Sequence, residues 1–438
     1  MIKWALLAIP TLCFGYTIKS NELTYMGENI EINGACELTH SKIKIFSERG
    51  SLERLDNLKE LKKATLNDHV LIKFPNHGLI QCDSVSLDFE NRIGILKKEQ
   101  GQIFYQSDFF IQSIPHPLSC RCNLASFEFN DTKSKDFKLK MLTLEGNLET
   151  TLKNSYVIKG EKALIIFDEK SQDFIPLELE LTNKMKPIEL SLPDASFFTQ
   201  LLKINFEEEK ITFKTLQGKS DWKGKIDFEI AEGHYHFSDK LLTIDNFFLM
   251  THEKLGRLQS KGMIIEKINY ENWKNFQNLT IKAPFDVTYL NHHLKSSSNM
   301  YLDQPSRLLS VDTKNEKLPI VYRYEDVELL ADSLVAKLDD DFNQFSKIQF
   351  LGNIKLRLKD PIYQMQYLLA DEIIFFPNEN KIEVISYKDR KIIFWTDEEK
   401  TALSCEKITL NYDKINKKRS AFFKGQIEAV IDKPEFFP

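Results

Sequence analysis

The sequence predicts an all-β chain of antiparallel strands in repeating units of about 39 residues. Three observations lead there. A short phrase recurs along the chain: a small residue, then an acid or polar residue, then apolar positions in alternation. Between its copies a second phrase recurs, a glycine followed by a strand of period two. The composition supplies 32 Phe but only 16 Gly and 14 Pro, which suits strands joined by few glycine-dependent loops.

The first phrase is plainest in ELLADSLVAKL (328–338) and YLLADEIIFF (367–376), and more worn in TALSCEKITLNY (401–412). Its small residues there are Ala331, Ala370 and Cys405, followed by Asp332, Asp371 and Glu406. Earlier copies place Cys82 and Asp83 before Val85, Leu87 and Phe89, and Cys122 and Asn123 before Ala125, Phe127 and Phe129. Gly160 and Glu161 precede Ala163, Ile165 and Phe167, and Ser238 with Asp239 starts a copy whose apolar register slips by one.

The spacings set these apart from chance alternation. From 82 to 122 is 40 residues, from 122 to 160 is 38, and from 160 to 238 is 78, twice 39. From 331 to 370 is 39 and from 370 to 405 is 35, while the gap of 93 from 238 to 331 leaves room for worn copies near Ser260 and Ser298. A steady period of this size marks stacked supersecondary units, none of which buries its apolar face alone.

The second phrase reads LEGNLET around Gly146, FLGNIKLRL around Gly352 and FKGQIEAVI around Gly425, with an N-terminal version near Gly27 and Gly34. Glycine suits a tight corner needing positive φ. Beyond it Ile354, Leu356 and Leu358 alternate with Lys355, Arg357 and Lys359, the pattern of a half-buried antiparallel strand. Each unit is thus read as a few short strands. The small residue turns the chain under its neighbour and the acid opens the next strand at a solvated edge.

Residues 1–15 carry Lys3 and an apolar run to Phe14, with small residues before the polar sequence that follows; this reads as a secretory signal peptide cleaved after Gly15. The run is short for a membrane span, and Leu12 beside Cys13 disfavours a lipoprotein signal. Four segments follow: 1–15 signal peptide, 16–181 a first run of units, 182–319 a divergent middle, and 320–438 the cleanest repeats. Pro187 and Pro193 break the alternation at the start of the middle segment. SFFTQLLKIN (196–205) is its one stretch of helical character, and NHHLKSSSNMYLDQPSR (291–307) reads as loop.

Chemistry is hard to find. No nucleophile elbow, phosphate-binding glycine loop or metalloprotease helix occurs. His234 and His236 share a strand face, but without further ligands nearby they read as a surface pair, and His116 with Cys120 and Cys122 lacks a second ligand pair for zinc. Five cysteines after cleavage do not make a disulfide framework, so they read as structural. DKINKKRS (413–420) reads equally as a contact for a phosphorylated or acidic partner and as a solvated turn, DDDF (339–342) reads as a charged turn, and a net charge of −5 offers no basic face for nucleic acid. No catalytic residue, metal or cofactor is expected.

The phrase pairs LGNIKLRL…YLLADEIIFF, EGNLETTL…IKGEKALIIFD and FWTDEEKTALSCEKITLNYDK resemble the OstA-like family of periplasmic lipopolysaccharide-transport proteins, which includes LptA, LptC and the periplasmic part of LptD. The likeness is best over 320–431, fair over 80–170 and poor over 182–310, with Cys82 and Cys405 where the pattern has alanine. It implies an elongated antiparallel β-jellyroll with a groove-like apolar interior. It implies too a non-enzymatic periplasmic role in which lipid A acyl chains lie in the groove, and edge-strand pairing with other such jellyrolls or with a second copy. The residues expected to line the groove are Val85, Leu87, Phe89, Ile165, Phe167, Ile354, Leu356, Leu358, Ile373, Phe375, Ile408 and Leu410. By itself the alternation allows a lined groove or a filled core. An envelope adaptor and a saccharide-binding or hydrolysing β-solenoid are the alternative functions.

Overall fold

The computed structural model describes residues 16–430 apart from 41, 55–60, 76–77, 112–113, 132–136, 154–155, 169–173, 184–185, 193–194, 222–224, 254–255, 269–275, 315, 340–343, 361–363, 388–389, 397–401 and 414–417. The signal-peptide reading of 1–15 lies outside these residues, as do most of the two charged turns. The described residues form 34 strands and one short 3-10 turn, Pro377–Glu379, and the strand pairings described here are all antiparallel. The chain forms two compact units, one of residues 1–216 with 236–238, the other of 217–235 with 239–438.

Within each unit the pairing is a meander, long strands pairing with their sequence neighbours. In the first unit Asn29–His40 pairs with Ile43–Arg54, and that strand with Leu61–Lys73. In the second, Phe345–Asp360 pairs along its length with Gln364–Phe376. These strands are long because each runs through both halves of a jellyroll. The bend between the halves comes at the glycine phrase, where Gly146 (φ 77°) and Asn147 (φ 47°), and again Gly352 (φ 75°) and Asn353 (φ 43°), adopt left-handed backbone and the register slips. The halves then face one another. Phe350, before the bend, meets Tyr322 on the facing half at 5.4 Å between ring centroids.

The polar residue of the first phrase sits at this bend, where Asn123 and Glu406 stay exposed. The Asp332 N–H donates to the carbonyls of Leu351 and Gly352, and the Asn123 N–H to those of Glu145 and Gly146. Both phrases therefore belong to one corner, the polar residue of one strand closing on the glycine of another.

The small residues have a packing role. Each lies in a buried row beside the bend, paired with a bulky apolar partner: Val70 with Cys82, Ile103 with Cys122, Leu148 with Gly160 and Ile188 with Thr199 in the first unit. In the second unit the pairs are Phe248 with Ser260, Phe285 with Ser296, Ile320 with Ala331, Ile354 with Ala370 and Ile392 with Cys405. Strands about 4.8 Å apart cannot seat bulky side chains side by side throughout a tight corner, so large and small alternate. The missing copies of the phrase are thus Thr199, Ser260 and Ser296. Each is a hydroxyl bonded to nearby backbone: Thr199 Oγ1 donates to Lys214 O, Ser260 Oγ to Gly262 O, and Ser296 Oγ accepts from the Ser298 N–H.

Two local expectations are corrected. SFFTQLLKIN is not helical: Ala195–Thr199 pairs with Ile188–Leu192, and Leu201–Asn205 with Pro176–Thr182. Leu202 and Ile204 are buried at spacing two, and that period outweighs the helical look of the run. The segment 291–307 likewise contains strands His292–Ser296 and Met300–Asp303, and Ser296 is a corner hydroxyl, while Ser297 and Ser298 form the bend between the strands.

Candidate functional site

Two rows of side chains stand on the inward face beyond the corner, and the two units fill them differently. In the first unit the row next to the corner residues runs through cross-strand pairs from Ile80 to Tyr105, Cys120, Thr150 and Ile158. All five are buried at 2% exposure or less. Their polar atoms are satisfied among themselves: Tyr105 Oη donates to Ser107 Oγ at 2.8 Å, and Cys120 Sγ lies 3.4 Å from Thr150 Oγ1. Burial pushes the Tyr105 hydroxyl well above its ordinary range and the Cys120 thiol up to about 12. From Ile80 to Ile158 this row is a filled core; its continuation through Leu190 and Phe197 is half-buried.

In the second unit the matching row runs unbroken through paired residues Val287, Leu294, Tyr322, Leu329, Leu356, Leu368, Phe394 and Leu403. Leu329 and Leu368 are buried, but the other six are only half-buried. Eight apolar side chains thus form a continuous band that the protein's own atoms cover incompletely.

The next row, towards the strand ends, is amphipathic. It pairs Tyr289 with His292, His292 with Tyr324, Tyr324 with Val327, Val327 with Leu358, Leu358 with Gln366 and Gln366 with Thr396. The His292 ring stacks on Tyr324 at 4.3 Å and 19°, and its Nδ1 lies 2.7 Å from Tyr322 Oη. Desolvation holds the His292 pKa below its ordinary value, which favours the neutral ring. Thr396 Oγ1 is buried without a hydrogen-bond partner among the described residues.

The residues expected from sequence to face inward fall in three groups. Val85, Leu87, Ile165, Phe167, Ile354, Ile373 and Ile408 are buried, Val85 and Ile165 completely. Phe89, Leu356, Leu358 and Phe375 are half-buried; Phe89 packs its ring 5.9 Å from Phe129. Leu410 shares the face of Ile408 but is 37% exposed. Only Leu356 and Leu358 of the twelve fall in the two rows of the second unit just described. Sequence reasoning missed Tyr322, Phe394 and the ring stack because their strands, Ile320–Tyr324 and Ile392–Thr396, are five residues long and show little alternation.

Among the described residues no group of His, Cys, Asp and Glu could hold a metal ion. His234, in strand Lys225–His236, lies 3.9 Å from Asp245. The described cysteines are free and buried.

No known protein family and no curated protein matches the chain. One similar solved structure is LptH, described as the LptA homologous periplasmic component of the conserved lipopolysaccharide transport device from Pseudomonas aeruginosa. It shares 15% identity, covers 32% of this chain and 95% of that one, and gives a TM-score of 0.25. A likeness that low carries no argument about this chain, so the functional reading rests on its own residues.

Proposed function

We propose that the chain is a non-enzymatic carrier of the cell envelope that shelters fatty acyl chains on the inward face of its second unit. One observation carries this: the apolar band from Val287 to Leu403 stays half-open along most of its length, where the equivalent row of the first unit is sealed from Ile80 to Ile158. A half-covered apolar strip gains by covering, and each methylene sheltered from water contributes about 0.8 kcal/mol. The amphipathic row beside it, with His292, Gln366 and Thr396, sits where the polar head of such a lipid would emerge. The first unit, closed from Ile80 to Ile158, serves as scaffold.

The OstA-like resemblance makes lipopolysaccharide the expected lipid and the periplasm the expected compartment. It also makes edge pairing the expected mode of assembly. Strand Lys418–Lys424 pairs with Lys407–Asp413 and, among the described residues, with no strand on its other side, and its Phe422 and Phe423 are exposed. An open apolar edge of this kind suits addition of a strand from another jellyroll or a second copy.

The test is photocrosslinking in the native envelope with a diazirine amino acid at Leu356 or at Val85. Lipid attached at Leu356 and absent at Val85 is the expected result. Labelling of neither position, or of both equally, would overturn the reading.

A further inference from the structure

The outward face of the second unit carries a patch of different chemistry. On strand Phe345–Asp360 the outward residues Lys355, Arg357 and Lys359 are all exposed. None has an ion-pair partner among the described residues, whereas nearby Arg323 is paired with Glu328 and Lys391 with Glu428. Five cations thus stand against three carboxylates, Glu328, Glu428 and the exposed Asp326 across from Lys359, in a chain of net charge −5; the acids of 397–399 lie outside the described residues. Across the strands, Lys355 neighbours Leu330 and Leu369, and Leu369 neighbours Ile393, which is 44% exposed. Arg357 neighbours Tyr367, whose ring stacks on Trp395 at 5.0 Å and 14°.

We propose that this face rests on an anionic lipid bilayer, with Lys355, Arg357 and Lys359 at the phosphates and Trp395, Tyr367 and Ile393 at the headgroup boundary. Unpaired cations call for an anionic partner. Trp and Tyr rings flanked by Lys and Arg are the composition that settles at a membrane–water interface, and a sheet face presents them in one layer. Near such a surface each cation strengthens binding about fivefold at moderate salt, so three act together without any inserted helix. The acyl-chain site faces inward on the same strands, so both surfaces can be occupied at once.

The experiment is co-sedimentation of the full chain with phosphatidylglycerol vesicles and with phosphatidylcholine vesicles, alongside Trp fluorescence. Binding to the anionic vesicles alone is expected, weakened by salt, with a blue shift that disappears in W395F. Lys355→Gln combined with Arg357→Gln should weaken it about 30-fold, while unchanged circular dichroism and melting temperature confirm folding. Equal binding to both vesicles, binding to neither, or binding unaffected by the double substitution overturns the proposal. Acyl labelling at Leu356 does not depend on Lys355 or Arg357, so either proposal can fail alone.

Discussion

The Asp332 carboxylate packs against Gly352 so closely that a Cβ on the glycine would stand 2.6 Å from Oδ2. The same carboxylate accepts a hydrogen bond from Asn353 Nδ2 at 2.7 Å. Glu406 stands in the same relation to Gly425, whose added Cβ would lie 2.5 Å from its side chain. These corners tolerate no other residue easily, because positive φ and crowding act together. Gly352→Ala should destabilise the protein by about 1–3 kcal/mol, seen as a lower urea midpoint. Asp332→Ala in the same chain should return part of the loss by removing the crowding but not the strained φ.

This corner shows what the sequence could and could not reveal. Both halves of it were visible as recurring phrases, since glycine and a small residue followed by an acid are rare enough to stand out. Their meeting was not, because Asp332 and Gly352 belong to different strands and only pairing register joins them. The spacing likewise identified an antiparallel strand repeat, yet it passed over Thr199 and put the copy at Ser296 two residues off, near Ser298, because such hydroxyls look like loop chemistry until their burial is known. Whether the interior is filled was illegible for a plainer reason. Val85 and Leu356 obey the same alternation, and only packing from the facing half distinguishes the sealed one from the half-open one.

The large–small alternation predicts a specific failure. Ala370 lies between Ile354 and, one position from the Leu369–Ile393 pair, Ile392. Ala370→Leu places three bulky side chains abreast and should cost about 1–3 kcal/mol. Adding Ile354→Ala frees the neighbouring space, so the double variant should melt above A370L alone. Equal melting temperatures for the two would mean that the row does not pack as paired large and small residues.

The thiols should be silent in the folded protein. Burial pushes Cys82 and Cys120 up to about 12 and Cys122 up to about 11, from an ordinary 9.0. At pH 8 a thiol reagent should therefore modify them only after denaturant is added. Because their folded pKa values are raised, the stability linked to them is intact below pH 9.0 and is lost as pH climbs towards 12. An alkaline melting series should show that decline, and a triple Cys→Ala variant should show less of it.

Thr396 carries a buried hydroxyl without a hydrogen-bond partner among the described residues. Replacing it by the isosteric valine removes a desolvation penalty and leaves the packing unchanged, so Thr396→Val should raise stability by about 1 kcal/mol. Differential scanning calorimetry of the lipid-free protein measures this directly. A loss of stability instead would show that the hydroxyl is bonded in solution.

Leu356 and Val85 separate a binding surface from a core. Val85 is completely buried between its strand partners Leu66 and Leu96, so Val85→Gln strands an amide in the sealed unit and should destabilise it by about 2–4 kcal/mol. Leu356 is half-buried in the open band, so the glutamine can turn its amide towards solvent and the melting temperature should fall by much less. What Leu356→Gln should lose is lipid: native mass spectrometry of protein taken from its own envelope should show less bound acyl-chain lipid than the unaltered chain. If instead both substitutions lower stability alike and the retained lipid is unchanged, the band is ordinary core.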